Sequence, residues 1–367
     1  MTTVEKFDGW LTDDDAAAIV IREPLVPVEG ADGVIFPATY AAGEDKKVFP
    51  GGYNIDPPQG DKTVCLVDSV GSQANRIEPL FVKPKYAALV PQIVIAAGEN
   101  SVNLLEAGHR AGDAIVRCTK LQKKLQDAFK DVLKGNAMTM AKISPTSLVF
   151  GVWDSRDTQA KLPRLVASTI RAFDVQRLTR SAQFNPAADY IGLDLLEDTT
   201  DKKLKDSYAE RGFIHVPATG SHGGVIAHGG IRRDVTFSLA ALRLLSAGVE
   251  SETIKLRRYV LGLCLVAITA PPATYLRQGC NLVPDPENPR SFRIVNADGK
   301  RHDFDLAHEE ALEFAIDTAN AFGVGESEVV NFDPTLAKKD IAGEGDVKAT
   351  RKTSKKAAAK SESKSEE

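Results

Sequence analysis

The chain has 367 residues, 43% hydrophobic and 26% charged, which is ordinary for a globular protein and long enough for a sizeable core, as two domains or as one domain with large insertions. A formal net charge of −4 means that bulk charge does not advertise a nucleic-acid partner, so any such role must come from local patches. Four cysteines, Cys65, Cys118, Cys264 and Cys280, lie far apart with no CxxC pair; this argues against a disulfide scaffold and structural zinc, and a reducing cytoplasm fits.

The opening MTTVEKFDGWLTDDDA is acidic and has no apolar h-region, so no signal peptide is expected, and residues 1–15 read as an extension. Ala16 to Val28 is β-branched and extended but interrupted by Pro24 and Pro27, which predicts an edge strand or two short pieces. Ala41 to Lys62, rich in Gly, Pro and charge, reads as a long loop and a candidate insertion. In Val64 to Phe81, helical spacing puts Val67, Val70, Ala74, Ile77 and Phe81 on one face and Asp68, Ser69, Ser72, Gln73 and Arg76 on the other. Pro79 limits that helix to about Glu78. Its polar face has few charges and many hydrogen-bonding groups, which suits phosphate and sugar; an exposed or interdomain face is the plainer reading.

Ile93 to Ala97 reads as a short strand, and Gly112 to Leu133 as one amphipathic helix capped by Asp113 and closed by Gly135. Thr146 to Trp153 reads as an apolar strand, and Trp153 at its end is expected in the core. Between Trp153 and Arg180 lie Arg156, Lys161, Arg164, Arg171, Arg177 and Arg180 against Asp154, Asp157 and Asp174, a local charge of +3 in a negative protein. Leu165 to Phe173 fits helix or strand. A strand feeding a basic segment through Asp154, Ser155 and Arg156 places polar groups at a sheet edge, where ligands often bind; scattered loop charge is the alternative.

Asn185 to Gly212 reads as a second, charged insertion. Phe213 to Pro217 is a strand candidate leading into TGSHGGVIAHGGIRRDV. There Gly223, Gly224, Gly229 and Gly230 interleave with Ser221, His222 and His228, and Arg232 and Arg233 follow. Such a backbone, rich in free N–H groups beside two arginines, suits an anion; the glycines can equally well just shape turns. Thr236 to Ala247 is then expected to be a helix with Gly248 as its C-cap, and Ser251 to cap a second helix reaching about Ala270. The longest apolar run, Tyr259 to Ala273, is too short to span a bilayer. Cys280 to Pro284 and Ser291 to Val295 read as strands. Asp298–Gly299 fits a hairpin turn, and Asp305 and Gly323 bound a last helix, Leu306 to Ala321. Residues 334–367 read as a disordered tail, whose stretch Lys348 to Glu367 carries seven Lys or Arg and three Glu.

A search for chemistry returns little. There is no GxxxxGK[ST], GxGxxG, GxSxG or HExxH. His222 and His228 have no acidic cluster of ligand spacing beside them, so neither a metal nor a cofactor is expected. Asp154 reads as an acid–base group or, more often for a lone Asp at a strand end, a turn or cap.

Three stretches together resemble one family: Leu66 to Phe81, Ser147 to Val175 and Gly223 to Leu245. They are similar to the RAMP-superfamily backbone subunit, the Cas-seven class, of type I-G (formerly I-U) CRISPR effector complexes. The resemblance covers most of residues 16–330; the basic tail is outside its pattern. It implies an α+β fold with an RRM-like (ferredoxin-like) antiparallel sheet core over residues 16–333, helices on one face and large insertions. It implies a cytoplasmic, noncatalytic RNA-binding subunit of an antiviral complex, with many copies assembled head to tail along a CRISPR guide RNA, beside other effector subunits. The target DNA strand would pair with that guide. Ser69, Ser72, Gln73 and Arg76 would touch the guide from one helix face. Trp153, Ser155, Arg156, Lys161, Arg164 and Arg171 would line its groove. Ser221, His222, Gly223, Gly224, His228, Gly229 and Gly230 would bring backbone amides to phosphate, supported by Arg232 and Arg233. The alternatives are a RAMP-type ribonuclease using Asp154 or the loop histidines, and a protein-only assembly module.

Overall fold

The computed structural model describes residues 3–60 and 62–342; the basic stretch from Lys348 lies outside the described residues. Its organising element is strand β1, Ala16–Pro27. This is a central strand of an eight-stranded sheet, not an edge. Pro24 is tolerated because it falls where β1 changes partner. On that side Arg22 faces Ser291 and the next paired residue, Leu25, faces Pro284, so the missing N–H costs no ladder bond.

Strand β2, Val64–Asp68, and helix α1, Val70–Ile77, divide the segment expected to be one helix. Cys65 and Val67 alternate into the core as a strand requires. Ser69 is extended, and its hydroxyl accepts from the Ser72 N–H as an N-cap. The helix expected from Gly112 is also two pieces. Asp113 caps Ala114–Arg117 as expected; the buried Thr119 hydroxyl then bonds the Val116 carbonyl and the Leu121 N–H, and α2 runs Gln122–Leu133. Thr146 to Trp153 is not a strand: α3 takes Pro145–Phe150, every residue of it buried, and only Val152–Trp153 is extended. A continuous apolar run reads the same for a buried strand and a buried helix; Pro145 in the first turn was the helix signal.

Strand β3, Val166–Phe173, continues past Asp174 as β4, Val175–Phe184. After the insertion and its helix α4, Lys202–Glu210, the chain returns as β5, Val216–Ala227, and β6, Ile231–Ser238. The Gly-rich stretch is therefore a strand and turn, not a loop, and the helix expected at Thr236 begins only at Leu239. β3 and β6 pair inside the main sheet, while β4 and β5 form a separate two-stranded ribbon beyond it. Helix α5, Glu250–Thr269, follows without a Ser251 cap; then come strands β7, Cys280–Pro284, and β8, Ser291–Asn296, and helices α6, His308–Phe322, and α7, Pro334–Ala342. Asp305 does not cap α6, which starts after Ala307. Helix α7 occupies the start of the segment read as tail and is tied down by Asp340 on Arg117.

The fold is α+β with an antiparallel sheet. β1 lies between β6 on one side and β7 and β8 on the other, β6 pairs β3, and β3 pairs β2, all antiparallel. One face is buried in two cores. The larger packs α2, α3, α5 and α6 around Ile19, Ile21, Val166, Val235 and Phe237. The smaller gathers Leu25, Ile35, Tyr53, Cys65, Ile170, Val225 and Cys280 at the other end of the same strands.

Candidate nucleic-acid interface

Strand alternation separates neighbouring arginines. On the buried face, Glu23 and Arg233 are cross-strand partners between the two cores, 2.5 Å apart as an ion pair, with Arg233 only 1% exposed. Burial pushes the Arg233 guanidinium below its usual value, against the pull of Glu23. Arg233, expected beside a phosphate, is thus a buried structural arginine.

On the opposite face lie the residues in between. Arg22 faces Asp234, and Asp234 faces Thr169; one rung on, Arg232 faces Arg171. On the outer side Arg293 faces Val20. Arg22 and Arg293 are exposed, Arg171 and Arg232 half-buried. Arg232 is held by Asp234 at 2.8 Å and lies 4.8 Å over the Phe173 ring; Arg293 is held by Asp303 at 3.2 Å. Arg22 forms no ion pair among the described residues. The ribbon beyond the sheet carries two further exposed arginines, Arg177 and Arg180; Arg177 is the cross-strand partner of the buried Val225. Four arginines on one sheet face, interleaved with Thr169, Thr236 and an aromatic, make a surface that can hold a phosphate backbone. Arg22 and Arg293 were missed from sequence; their signal was the period-2 pattern of β1 and β8, which the prolines of β1 obscured.

The polar face of α1 is committed inward. A register shift between Leu66 and Asp68 turns the Asp68 carboxylate to the buried side. Ser72 donates to it at 2.8 Å, Gln73 at 2.7 Å, Arg76 at 3.0 Å and Arg277 at 3.2 Å. Gln73, 4% exposed, also accepts from Ser168 at 2.8 Å. Ser69 is spent as the N-cap. This network satisfies a buried carboxylate, so Ser72 and Gln73 are occupied; Gln73 is buried, while Arg76, like Ser69 and Ser72, stays partly exposed.

The basic segment after α3 is exposed at Trp153, Ser155, Arg156, Lys161 and Arg164. Trp153, expected in the core, is 59% exposed, with the Lys161 ammonium 5.9 Å from its ring. Asp154 is buried; one oxygen caps the turn by accepting from the Thr158 N–H and hydroxyl. In the ribbon, Gly224 (φ +96) forms a bulge with Gly223, and a Cβ on Gly223 would stand 2.7 Å from the Thr179 carbonyl carbon. A Cβ on Gly229 would stand equally close to an Asp174 carboxylate oxygen, and Gly230 (φ +80) turns the chain into β6. These glycines shape the ribbon and its bend. Ser221 donates to the Arg180 carbonyl, His222 packs against Tyr53, and His228 reaches Gln176, so the two histidines have separate surroundings. Among the described residues no three or more His, Cys, Asp or Glu side chains cluster as metal ligands, and no helix is long and apolar enough to cross a membrane.

Fold and surface together define an α+β protein with a helix-backed antiparallel sheet and an arginine-bearing open face. Residues 19–177, from β1 into the ribbon, match the model of the family described as CRISPR-associated protein GSU0053. That match supports a CRISPR-associated subunit of the RAMP type. No curated protein matches the chain.

Proposed function

We propose that the chain is a noncatalytic backbone subunit of a type I-G CRISPR effector complex, holding guide RNA on the open sheet face and assembling in several copies along it, with target DNA pairing to the guide. The observation that carries this is the row Arg22, Arg171, Arg232 and Arg293 on one face of the sheet. An RRM-like core is supported by strand order: β1, β3, β6 and the β7–β8 pair, taken as first to fourth, lie in space as fourth, first, third, second. Side chains on such a face contact backbone and sugar and leave bases free to pair. The turn-capping role of Asp154 speaks against the ribonuclease alternative. Co-expression with a CRISPR array, followed by purification, tests the reading. RNA of one discrete length should copurify; its absence with the other effector subunits present would sink the proposal.

A further inference from the structure

Between α1 and the end of α5 the surface opens into a recess of about 790 Å³. Arg76, Lys83, Lys85 and Arg233 line it, with no acidic residue in the lining; its other walls are largely apolar, Ile77, Leu80 and the Ala270–Ala273 turn among them. Arg233 forms its floor, and one guanidinium nitrogen, Nη2, is buried without a hydrogen-bond partner. Lys83 and Lys85 are exposed and form no ion pair among the described residues. A buried, unpartnered guanidinium nitrogen favours an incoming carboxylate or phosphate. Apolar walls favour a peptide over a nucleic-acid strand, whose sugar–phosphate backbone has little to bury there.

The same chain carries a matching segment. Asp189, Asp194, Glu197, Asp198 and Asp201 fall in 189–201 with no Lys or Arg among them. The segment is built as a compact turn: the N–H groups of Leu195 and Leu196 both bond the Tyr190 carbonyl, Asp194 sits at φ 54, and Tyr190 packs edge-on to Phe213. That turn holds Leu193 and Leu195 outward, 60% and 63% exposed, with acids beside them. Exposed leucines flanked by carboxylates, preformed at the tip of the ribbon, are what a recess with apolar walls and cations would accept.

The geometry points to docking of the Asp189–Asp201 turn of one copy into the Arg76–Lys83–Lys85–Arg233 recess of the next, a head-to-tail contact between protein surfaces. It rests on the assembly part of the proposed function, but not on RNA binding. The test is a charge exchange in the full chain. Lys83→Glu with Lys85→Glu, and separately Asp194→Lys with Glu197→Lys, should each weaken self-association at least tenfold, read by sedimentation without RNA and by mass photometry on long single-stranded RNA. The chain with all four changes should recover it. Leu193→Ser with Leu195→Ser should weaken it without altering charge. Binding to an RNA too short for two copies should stay unchanged throughout, which separates this contact from the RNA surface. No self-association of the unaltered chain, no loss on either reversal, or loss without recovery in the fourfold variant would each overturn the docking. Weakened short-RNA binding in the Lys83→Glu/Lys85→Glu chain alone would likewise overturn it and assign the recess to nucleic acid.

Discussion

Arg232 and Arg233 are adjacent in the chain and have opposite roles. Arg233 is buried between two cores against Glu23, at the floor of the recess; Arg232 lies on the open face beside Asp234 and over Phe173. The two faces of one sheet therefore use the same side chain differently. The buried face uses arginine to reconcile a carboxylate with an apolar setting, as Asp68 is reconciled by Arg76 and Arg277. The open face keeps arginines near the surface, where a phosphate can exchange for a neighbouring acid. Identity and position in a motif do not distinguish these uses. The face does.

The largest effect should come from breaking the buried side. Removing one member of a desolvated pair leaves the other charge uncompensated, a cost of roughly 3–5 kcal/mol. Arg233→Ala and Glu23→Ala should each lower the denaturant midpoint accordingly. Replacing Arg233 by Met together with Glu23 by Leu should recover much of the loss. If Arg233→Ala unfolds at the unaltered midpoint, the division between the faces is wrong.

A second buried pair, Glu78 with Arg110 at 2.6 Å, sharpens the contrast through pH. Burial raises the Glu78 carboxyl from 4.5 to about 7, outweighing the pull of Arg110. In that window the folded chain holds a proton that the unfolded chain releases. The stability this contributes is full below 4.5 and is lost as pH rises through about 7. One proton gives a slope of up to about 1.4 kcal/mol per pH unit. Comparing chemical denaturation of the unaltered chain with Glu78→Gln between pH 4.5 and 7 isolates this term, and equal slopes would refute it.

What was legible in sequence follows the same physics. Ile93–Ala97, Cys280–Pro284 and the Asp298–Gly299 hairpin were readable because local pattern and turn chemistry agree there. The division of Val64 to Phe81 was not, because Val67 and Asp68 fit a helical face by chance and a bulge, not a helix, sets the direction of Asp68. The Gly-rich stretch misled for a related reason. Its glycines permit bulges and a bend within long strands, and glycine is ordinarily a sign against a strand. Once that stretch is read as loop, the alternation that puts Arg232 outward and Arg233 inward cannot be seen. The open face was half legible: Arg171 and Arg232 were found, Arg22 and Arg293 were not.

The smallest effects belong to the open face, where they should appear in binding and scarcely in stability. Arg22→Ala, Arg171→Ala, Arg232→Ala and Arg293→Ala should each change unfolding free energy by no more than about 0.5 kcal/mol, since surface substitutions rarely do more. Where the arginine removed neutralises one phosphate of a single strand, the plot of log affinity against log salt should flatten by roughly 0.7. The four should not be equal. Arg293 must leave Asp303, and Arg232 must leave Asp234, before either serves a phosphate fully. Arg22 has no such competitor among the described residues, and Arg232 is bound to Asp234 through two bonds, so Arg22→Ala should flatten the slope most and Arg232→Ala least. Salt titrations of a short, unstructured RNA with the four variants measure this order directly. Slopes that all match the unaltered chain would remove the sheet face from the interface and leave the ribbon arginines, Arg177 and Arg180, as the surface to test.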